Sequence, residues 1–352
     1  MSKETVATPP GDVISHHLPV RNHHYNVKDG KVIDAKAEVA PVILPKPDGK
    51  RPRSSRPMSR DRKVAAGFIA LGHVFALWGA IMIAQLPTWN ERIKWTVAVL
   101  LAYFFTGTMG ITAGVHRLWA HRTYKANFFV RLFFALMNTI SNQSSILAWS
   151  VDHRVHHQYV DTEADPHNIN EGFWHAHMLW LFRPRSDAYV QARKRIDTTD
   201  LLADPIVYYQ DKYYFFLGPF CCYILPAIIG WYFTNRFWMS FLVFGNLRWV
   251  ITLHATWTVN SVAHMYGTRP YKPEILPTEN GWVSFFSGGE GWHNWHHAFP
   301  WDYRATADCL FGRWNAARLY IDFFALFGWV WDRKVQRNVV KLPEFAPGEA
   351  PY

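Results

Sequence analysis

The stretch G-W-H-N-W-H-H-A-F-P, residues 291–300, places three histidines within five positions: His293, His296 and His297. The same H-x-x-H-H spacing occurs earlier in the chain, at His153, His156 and His157. In a helix, positions i, i+3 and i+4 lie on one face, so each motif can aim three ring nitrogens at one place. Neutral imidazole is the commonest metal-ligating side chain near neutral pH, and nitrogen-rich sites suit iron, copper or zinc. The two motifs therefore predict helices that meet around bound metal.

The rest of the chain is rich in aromatic residues. Of 352 residues, 17% are aromatic, 18 are tryptophan and only 18% are charged. This composition differs from that of an ordinary soluble chain and favours apolar and interfacial surroundings. Residues 1–63 are the exception, because they are polar, with scattered proline, glycine and charge. We predict that this first segment is mostly disordered.

Four apolar segments are long enough to cross a bilayer, which takes about 20 helical residues. They lie near residues 64–86, 95–115, 213–234 and 237–259. A short loop separates the first two, and only Asn235 and Arg236 separate the last two. The pattern predicts an all-α integral membrane protein with four transmembrane helices in two hairpins, so that the chain contacts membrane lipid.

A basic cluster precedes the first apolar segment; its members are Lys46, Lys50, Arg51, Arg53, Arg56, Arg60, Arg62 and Lys63. Such a cluster marks the cytosolic side of a span. It could also be a nucleic-acid-binding tail, but its position favours the membrane reading, with no nucleic acid. An even number of spans places both termini and residues 116–212 in the cytosol. We expect a membrane domain over residues 64–334 and a C-terminal tail over 335–352.

The chain has only three cysteines, Cys221, Cys222 and Cys309, with no C-x-x-C pair. Structural zinc, iron–sulfur ligation and a disulfide framework are therefore poorly supported.

Further histidines follow the second apolar segment at His116 and His121. Asn260 and His264 are spaced i, i+4 where the fourth segment ends. These histidines and Asn260 are predicted to gather on the cytosolic side together with the two H-x-x-H-H motifs. Any metal must therefore be held by these residues and not by cysteine.

Three motifs carry a family resemblance: H-R-L-W-A-H at 116–121, D-H-R-V-H-H at 152–157 and G-E-G-W-H-N-W-H-H-A-F-P-W-D-Y at 289–303. Together with E-A-D-P-H-N at 163–168 and N-S-V-A-H-M-Y-G-T-R-P-Y at 260–271, they resemble the three histidine boxes of membrane fatty acyl-CoA desaturases of the stearoyl-CoA desaturase type. The resemblance covers residues 64–334. It implies that a cytosolic helical cap on the four spans holds a histidine-rich dimetal site.

The resemblance implies a di-iron enzyme of the endoplasmic reticulum membrane that inserts a cis double bond, usually at Delta-9, into a saturated acyl-CoA with O2. The histidines that match the family's iron ligands are His116, His121, His153, His156, His157, His264, His293, His296 and His297. Asn260 matches the residue that reaches an iron through water. Glu290 is expected either to orient a ligand or to be a plain hydrogen-bonding residue.

The electron donor is expected to be a separate protein. The chain has no H-P-G-G haem motif and no glycine-rich dinucleotide fingerprint, so we expect no bound haem or flavin. The resemblance implies cytochrome b5, reduced by NADH-cytochrome b5 reductase. A basic cytosolic surface would attract such an acidic partner.

Substrate residues are also implied by the resemblance. The residues that match those bending the acyl chain are Gln143, Trp149, Thr256 and Trp257, and those expected near CoA are Asp152, Arg183 and Arg185, with Arg193, Lys194 and Arg195 as further candidates. The chain departs from the mammalian pattern at two places. Val151 stands where an arginine precedes the second box, and the Arg-Lys pair is shifted to Arg183-Pro184-Arg185.

Three alternatives stay open at this point. A related di-iron hydroxylase or a desaturase of another regiospecificity would share the histidine motifs. A metal transporter would place ligands along a transmembrane path rather than on one side. A carboxylate-rich di-iron bundle is excluded, because Glu290-x-x-His293 has no comparable partner set.

Overall fold

A computed structural model describes residues 27–28, 31–32, 58–307 and 313–337. The predicted disorder of residues 1–63 and the tail over 335–352 fall largely outside these residues, and Cys309 falls wholly outside them. The chain divides into two compact units, Met1–Ile43 and Leu44–Tyr352. In the first unit, β1 (Val27–Lys28) pairs antiparallel with β2 (Lys31–Val32). All further elements belong to the second unit.

The second unit is mostly helical. Its long helices are α1 (Arg60–Ala84), α2 (Trp89–Gly107, continued by a π-helical stretch, Thr108–Ala120), α3 (Phe128–Ser141), α4 (Ile146–Gln158) and α12 (Arg248–Met265). The shorter helices are α5 (Phe173–His177), α6 (Asp187–Lys194), α7 (Thr199–Leu202), α8 (Pro205–Lys212), α9 (Tyr214–Pro219), α10 (Leu225–Thr234), α11 (Phe237–Ser240), α13 (Gly281–Ser287), α14 (His293–Ala298) and α15 (Ala316–Leu326). Two 3-10 turns cover Ile169–Glu171 and Leu179–Phe182, and β3 (Lys125–Ala126) pairs antiparallel with β4 (Val330–Trp331).

Three helical stretches of the described chain are long and apolar enough to cross a membrane: Arg62–Ala84, Trp89–Ala120 and Tyr214–Thr234. They overlap the first three predicted spans, which confirms the mostly helical membrane fold. The fourth predicted span, residues 237–259, lies within one helical run from Phe237 to Met265. It is not among the three, and it contains the polar residues Asn246, Arg248 and His254. The arrangement of four spans in two hairpins stays a prediction.

Polar side chains begin several of these helices. Ser59 Oγ, Thr88 Oγ1 and Ser145 Oγ each accept a hydrogen bond from a backbone N–H three residues later, at the starts of α1, α2 and α4. Such caps satisfy donors that have no partner inside the helix. The cap at Ser145 places the second histidine motif on the last two turns of α4.

The π-helical end of α2 packs closely against α3. A Cβ at Gly110 would lie 2.4 Å from the backbone of Met137 and Asn138, so only glycine permits this approach. The wider π-helical turns continue to Ala120 and carry His116 into the protein interior, where the side chain is buried. Local helix geometry of this kind is often found at functional sites.

One buried arginine links several helices of the second unit. Arg248 begins α12 and donates to the carbonyl oxygens of Phe244, Ile140 and Cys222 at 2.7–3.0 Å. A buried guanidinium needs such partners because burying it unpaired is costly. Helix α12 also contacts α1, α2, α5 and α13, so it lies at the centre of the unit.

Candidate metal centre

All nine predicted ligand histidines converge in the structure. Their ring nitrogens form two groups, and within each group the possible ligand atoms lie within 4.8 Å of one another. The five-histidine cluster consists of His116, His121, His153, His157 and His296. The four-histidine cluster consists of His156, His264, His293 and His297.

Each H-x-x-H-H motif contributes to both clusters. The prediction that one motif aims three nitrogens at one place is therefore wrong. In α4, His153 and His157 belong to the five-histidine cluster, but His156 belongs to the other. In α14, His293 and His297 belong to the four-histidine cluster, but His296 belongs to the other. The reason is angular: residues i and i+4 are offset by about 40° around a helix, whereas adjacent residues differ by about 100°.

The remaining ligand candidates come from the ends of the membrane helices. His116 lies in the last turns of the π-helical stretch, and His121 follows its end. His264 lies in the last turn of α12. Asn260 lies one turn earlier and is half-buried. A contact from Asn260 to a metal through water stays a prediction.

The Nε2 atoms of the histidines face one another at short distances. In the five-histidine cluster, Nε2 of His296 lies 3.0 Å from that of His116 and 2.9 Å from that of His157. In the four-histidine cluster, Nε2 of His293 lies 3.1 Å from that of His264 and 3.1 Å from that of His297. The Nε2 atoms of His296 and His293 therefore each have two ring nitrogens of other histidines as neighbours.

Carboxylates hold the opposite nitrogen of three rings. His156 Nδ1 donates to Asp165 Oδ2 at 2.8 Å, and His264 Nδ1 donates to Asp161 Oδ1 at 3.1 Å. His116 Nδ1 lies 3.1 Å from Glu290 Oε2. A hydrogen on Nδ1 leaves the lone pair of a neutral ring on Nε2, which is the atom that points into the cluster.

This donor set fits metal ions. One hydrogen can bridge only one pair of nitrogens, so a ring whose Nε2 faces two others cannot be satisfied by hydrogen bonds alone. A cation that accepts several lone pairs removes the conflict. Imidazole nitrogens with carboxylates behind them are the usual arrangement around transition metals. The two clusters can therefore each hold one metal ion.

Burial keeps most of these rings neutral. The pKa values of His153, His157 and His296 lie well below the usual range. Burial is the largest cause, and repulsion from the neighbouring histidines is the next. The pKa values of His121, His293 and His297 are lowered in the same way. Neutral imidazoles keep the lone pairs that a metal needs.

Two of the carboxylates beside the clusters, Glu290 and Asp165, have lowered pKa values and stay charged. Burial would raise the pKa of Glu290, but His116 and Arg117 outweigh it and lower that pKa to about 2. For His156, burial would lower the pKa, but the charge and hydrogen bond of Asp165 outweigh it and raise the pKa. Each negative charge therefore stabilises positive charge in its cluster.

Asp161 and Asp165 were not singled out from the sequence. Asp165 occurs in the quoted E-A-D-P-H-N stretch, but neither residue was given a role. The i, i+4 spacing in D-T-E-A-D, residues 161–165, shortly after the second histidine motif, is the signal that could have found them. Asp165 also groups with His156 and His167 as a further set of possible ligands.

An apolar cavity lies beside the two clusters. Its walls include residues from both clusters, namely His116, His153 and His293. Among the predicted substrate residues, Trp149 and Thr256 line it. Gln143 lies behind the wall and donates to Thr256 Oγ1 at 3.0 Å. Trp257 is buried on another side of α12, against His73, His177 and His254.

The predicted CoA contacts lie in a charged group on the cap. Arg185 donates to Asp152 at 2.7 Å, and Arg193 and Tyr189 contact the same carboxylate. Two of the predicted residues, Asp152 and Arg185, are thus paired with each other.

Two positions close to this charged group have contacts that the sequence did not predict. Arg62 of α1 was assigned only to the basic cluster, but it donates to the carbonyl oxygens of Trp180, Leu181 and Arg183. Val151 is buried in the largest apolar core, so its side chain packs there and does not face solvent.

Comparison with known proteins adds to this geometry. Residues 93–324 match the model of a family described as "Fatty acid desaturase". The chain is similar to "Stearoyl-CoA desaturase 5" of Bos taurus, with 41% identity over 76% of this chain and 77% of the relative. It is also similar to "Acyl-CoA Delta-9 desaturase" of Acheta domesticus, with 40% identity over 88% of this chain and 87% of the relative. A third relative, "Acyl-CoA Delta-12 desaturase" of Tribolium castaneum, is 46% identical over 74% of this chain and 72% of the relative.

Proposed function

The chain belongs to the fatty acid desaturase family, and we propose that it inserts a cis double bond at Delta-9 of a saturated long-chain acyl-CoA. It is an oxidoreductase of the acyl-CoA desaturase type. The observation that carries the proposal is that two clusters of histidine Nε2 atoms adjoin one apolar cavity. A methylene chain offers no polar group to grip, so an apolar cavity is the binding site its chemistry requires.

The nine histidines are proposed to hold two iron ions, one in each cluster, with Asn260 reaching one of them through water. Bound iron would supply O2 activation, which is needed to remove hydrogen from an unactivated methylene. The chain's own residues bind and orient. Asp161, Asp165 and Glu290 fix the ring orientation, and the buried surroundings exclude water from the reacting carbons.

The reaction also needs electrons from outside. Reduction of O2 to water takes hydrogens from two adjacent methylenes together with further electrons and protons. We assign the electrons to cytochrome b5 and its NADH-dependent reductase, which the basic cytosolic surface would attract. The CoA group is assigned to the cap around Arg183 and Arg185, and the acyl chain to the cavity beside Trp149 and Thr256, with Gln143 supporting that wall.

The membrane arrangement is part of the proposal. We place the protein in the endoplasmic reticulum membrane with four spans in two hairpins, the fourth formed by the helical run from Phe237 to Met265, and with both termini in the cytosol. The desaturase domain is assigned to residues 64–334. A chain that lacks residues 1–40 should therefore keep its activity, measured as product per unit of membrane protein.

The position of the double bond is the least constrained element. The Tribolium castaneum relative is named for Delta-12, although it is 46% identical to this chain. High similarity within the family therefore accommodates more than one position, and a hydroxylated product is the outcome that would indicate the related hydroxylases.

The test is expression of the full chain in yeast that lacks its own acyl-CoA desaturase, followed by mass-spectrometric mapping of double bonds. We expect monounsaturated fatty acids with the double bond at Delta-9. Double bonds at another carbon would replace the Delta-9 assignment. Hydroxylated chains, or no new product from a protein that is present in the membrane and loaded with metal, would contradict the proposed function.

A further inference from the structure

Three histidines outside the two clusters contact one another in series. His73 of α1 has its Nε2 3.1 Å from Nε2 of His254 in α12. His254 in turn has its Nδ1 3.0 Å from Nε2 of His177 in α5. These rings are not among the groups of converging ligand atoms found in the described chain. We call this series the histidine chain.

The two ends of the histidine chain determine where its hydrogens lie. His73 Nδ1 is 2.7 Å from the carbonyl oxygen of Ile69, which can only accept, so Nδ1 donates and Nε2 accepts. His254 must then donate from Nε2 and accept at Nδ1. His177 donates to that Nδ1 from its own Nε2.

The other end closes with a hydroxyl. His177 Nδ1 lies 2.9 Å from Ser261 Oγ, which donates to it in place of its alternative acceptor, the carbonyl oxygen of Trp257. In this arrangement all three rings are neutral and each of their nitrogens has a partner. The histidine chain is therefore satisfied by hydrogens alone and needs no cation. A fully satisfied polar series in an apolar region favours one packing arrangement over others.

Helix α12 lies between the histidine chain and the acyl cavity. Thr252, Ala255, Thr256 and Val259 line the cavity and share one face of the helix. His254, Trp257 and Ser261 occupy the opposite face, at i, i+3 and i+7. Trp257 packs among the rings of the histidine chain, with ring centroids 5.0 Å from His254 and 5.9 Å from His177. A displacement of His254 would therefore move the cavity wall.

The histidine chain also reaches the cap. His177 ends α5, and the 3-10 turn Leu179–Phe182 follows almost at once. Arg62 of α1 binds the carbonyl oxygens of Trp180 and Leu181 in this turn. Arg183 and Arg185, the proposed CoA contacts, come next in the chain. One end of the series is thus attached to the part that would hold CoA, and its centre to the cavity wall.

We propose that His73, His177 and His254 are positioning residues that set the distance between the CoA-binding cap and the cavity wall, and so determine which carbon pair reaches the metal centre. This rests on the proposed function. With the thioester end held at the cap, the reacting carbons are selected by length along the chain. Displacements of about one ångström are enough to change reactivity by about a hundredfold.

The test compares products from the full chain in the same yeast. The His254→Leu variant has a side chain of similar size without a hydrogen-bond donor or acceptor. The His254→Asn variant keeps an N–H donor group and an oxygen acceptor. Thr258→Val is the matched control, because among the described residues Thr258 Oγ1 bonds only to the Ala255 carbonyl of its own helix. The readout is the fraction of product with a displaced double bond, which does not depend on the amount of enzyme. The metal content of each purified variant is measured alongside.

We expect His254→Leu to raise the displaced fraction by about tenfold, while His254→Asn and Thr258→Val stay near wild type and all variants retain metal. His73→Leu should give the same shift, and the double variant no more, because the residues act in one series. Unchanged product in His254→Leu and His73→Leu, or an equal shift in Thr258→Val, would overturn the proposal. If His254→Leu and His73→Leu both lost product together with metal, the proposal would also be overturned, because the two histidines would then be needed for folding. A wild type without desaturated product would instead contradict the proposed function.

Discussion

The metal centre and the histidine chain use the same side chain at the same spacing with opposite results. In both, ring nitrogens of neighbouring histidines lie about 3 Å apart. In the metal centre, Nε2 of His293 and of His296 each faces two other Nε2 atoms, and carboxylates stand behind three of the rings. In the histidine chain each ring nitrogen that meets another ring meets only one, and the last acceptor is the carbonyl oxygen of Ile69.

The difference shows what decides whether a group of histidines binds metal. Converging lone pairs cannot all be bridged by hydrogens, so they need a cation. Rings in series can be satisfied by one hydrogen in each contact. Negative charge marks the first case: Asp161, Asp165 and Glu290 adjoin the two clusters, and none of the contacts described for the histidine chain involves a carboxylate.

The largest expected effect comes from removing a converging ring. His296→Ala should abolish turnover, by about a thousandfold or more, because metal binding supplies several kcal/mol of the catalysis. Metal content, measured by mass spectrometry on purified protein, should fall with it. His254→Leu should keep its metal. Wild-type turnover from His296→Ala, or equal metal loss in both variants, would remove the distinction between the two groups.

A smaller effect is expected from the carboxylates. Asp165→Asn keeps the shape but removes the charge that orients His156, so metal affinity should fall about 10- to 100-fold. Competition with a chelator measures this. Glu163→Gln is the control, since Glu163 lies in the same loop and is exposed. Equal chelator sensitivity in the two variants would show that the charge behind His156 has no special role.

The smallest effect is expected at the end of the histidine chain. Ser261→Ala removes one buried hydroxyl and its hydrogen bond to His177, which should lower the free energy of unfolding by about 1 kcal/mol. The thermal midpoint in detergent measures this, and the double-bond position should change less than in His254→Leu. A shift as large as that of His254→Leu would mean that Ser261 matters for more than ending the series.

Much of the site could be predicted from the sequence because its signals are local. Histidine spacing, apolar segment length and charge near the spans are read within about 20 residues. Three spans and the desaturase family were found in this way. The division of each H-x-x-H-H motif between two clusters was not, although it follows from helix geometry once a second cluster exists. Nothing near His156 in the sequence shows which cluster it joins, because His264, His293 and His297 lie more than 100 residues away in the chain.

The sequence by itself determined the residue types, the membrane helices and the family, because apolar periodicity and motif spacing act along the chain. Only the tertiary structure decided which ring nitrogens lie close to one another and which rings have a carboxylate at the opposite nitrogen. His73 and His254 are 181 positions apart, and His116 and Glu290 are 174 apart, so no local pattern relates them. Whether a buried histidine acts as a metal ligand or as a link in a hydrogen-bonded series depends on those distant neighbours, since they supply or withhold the hydrogens and the negative charge.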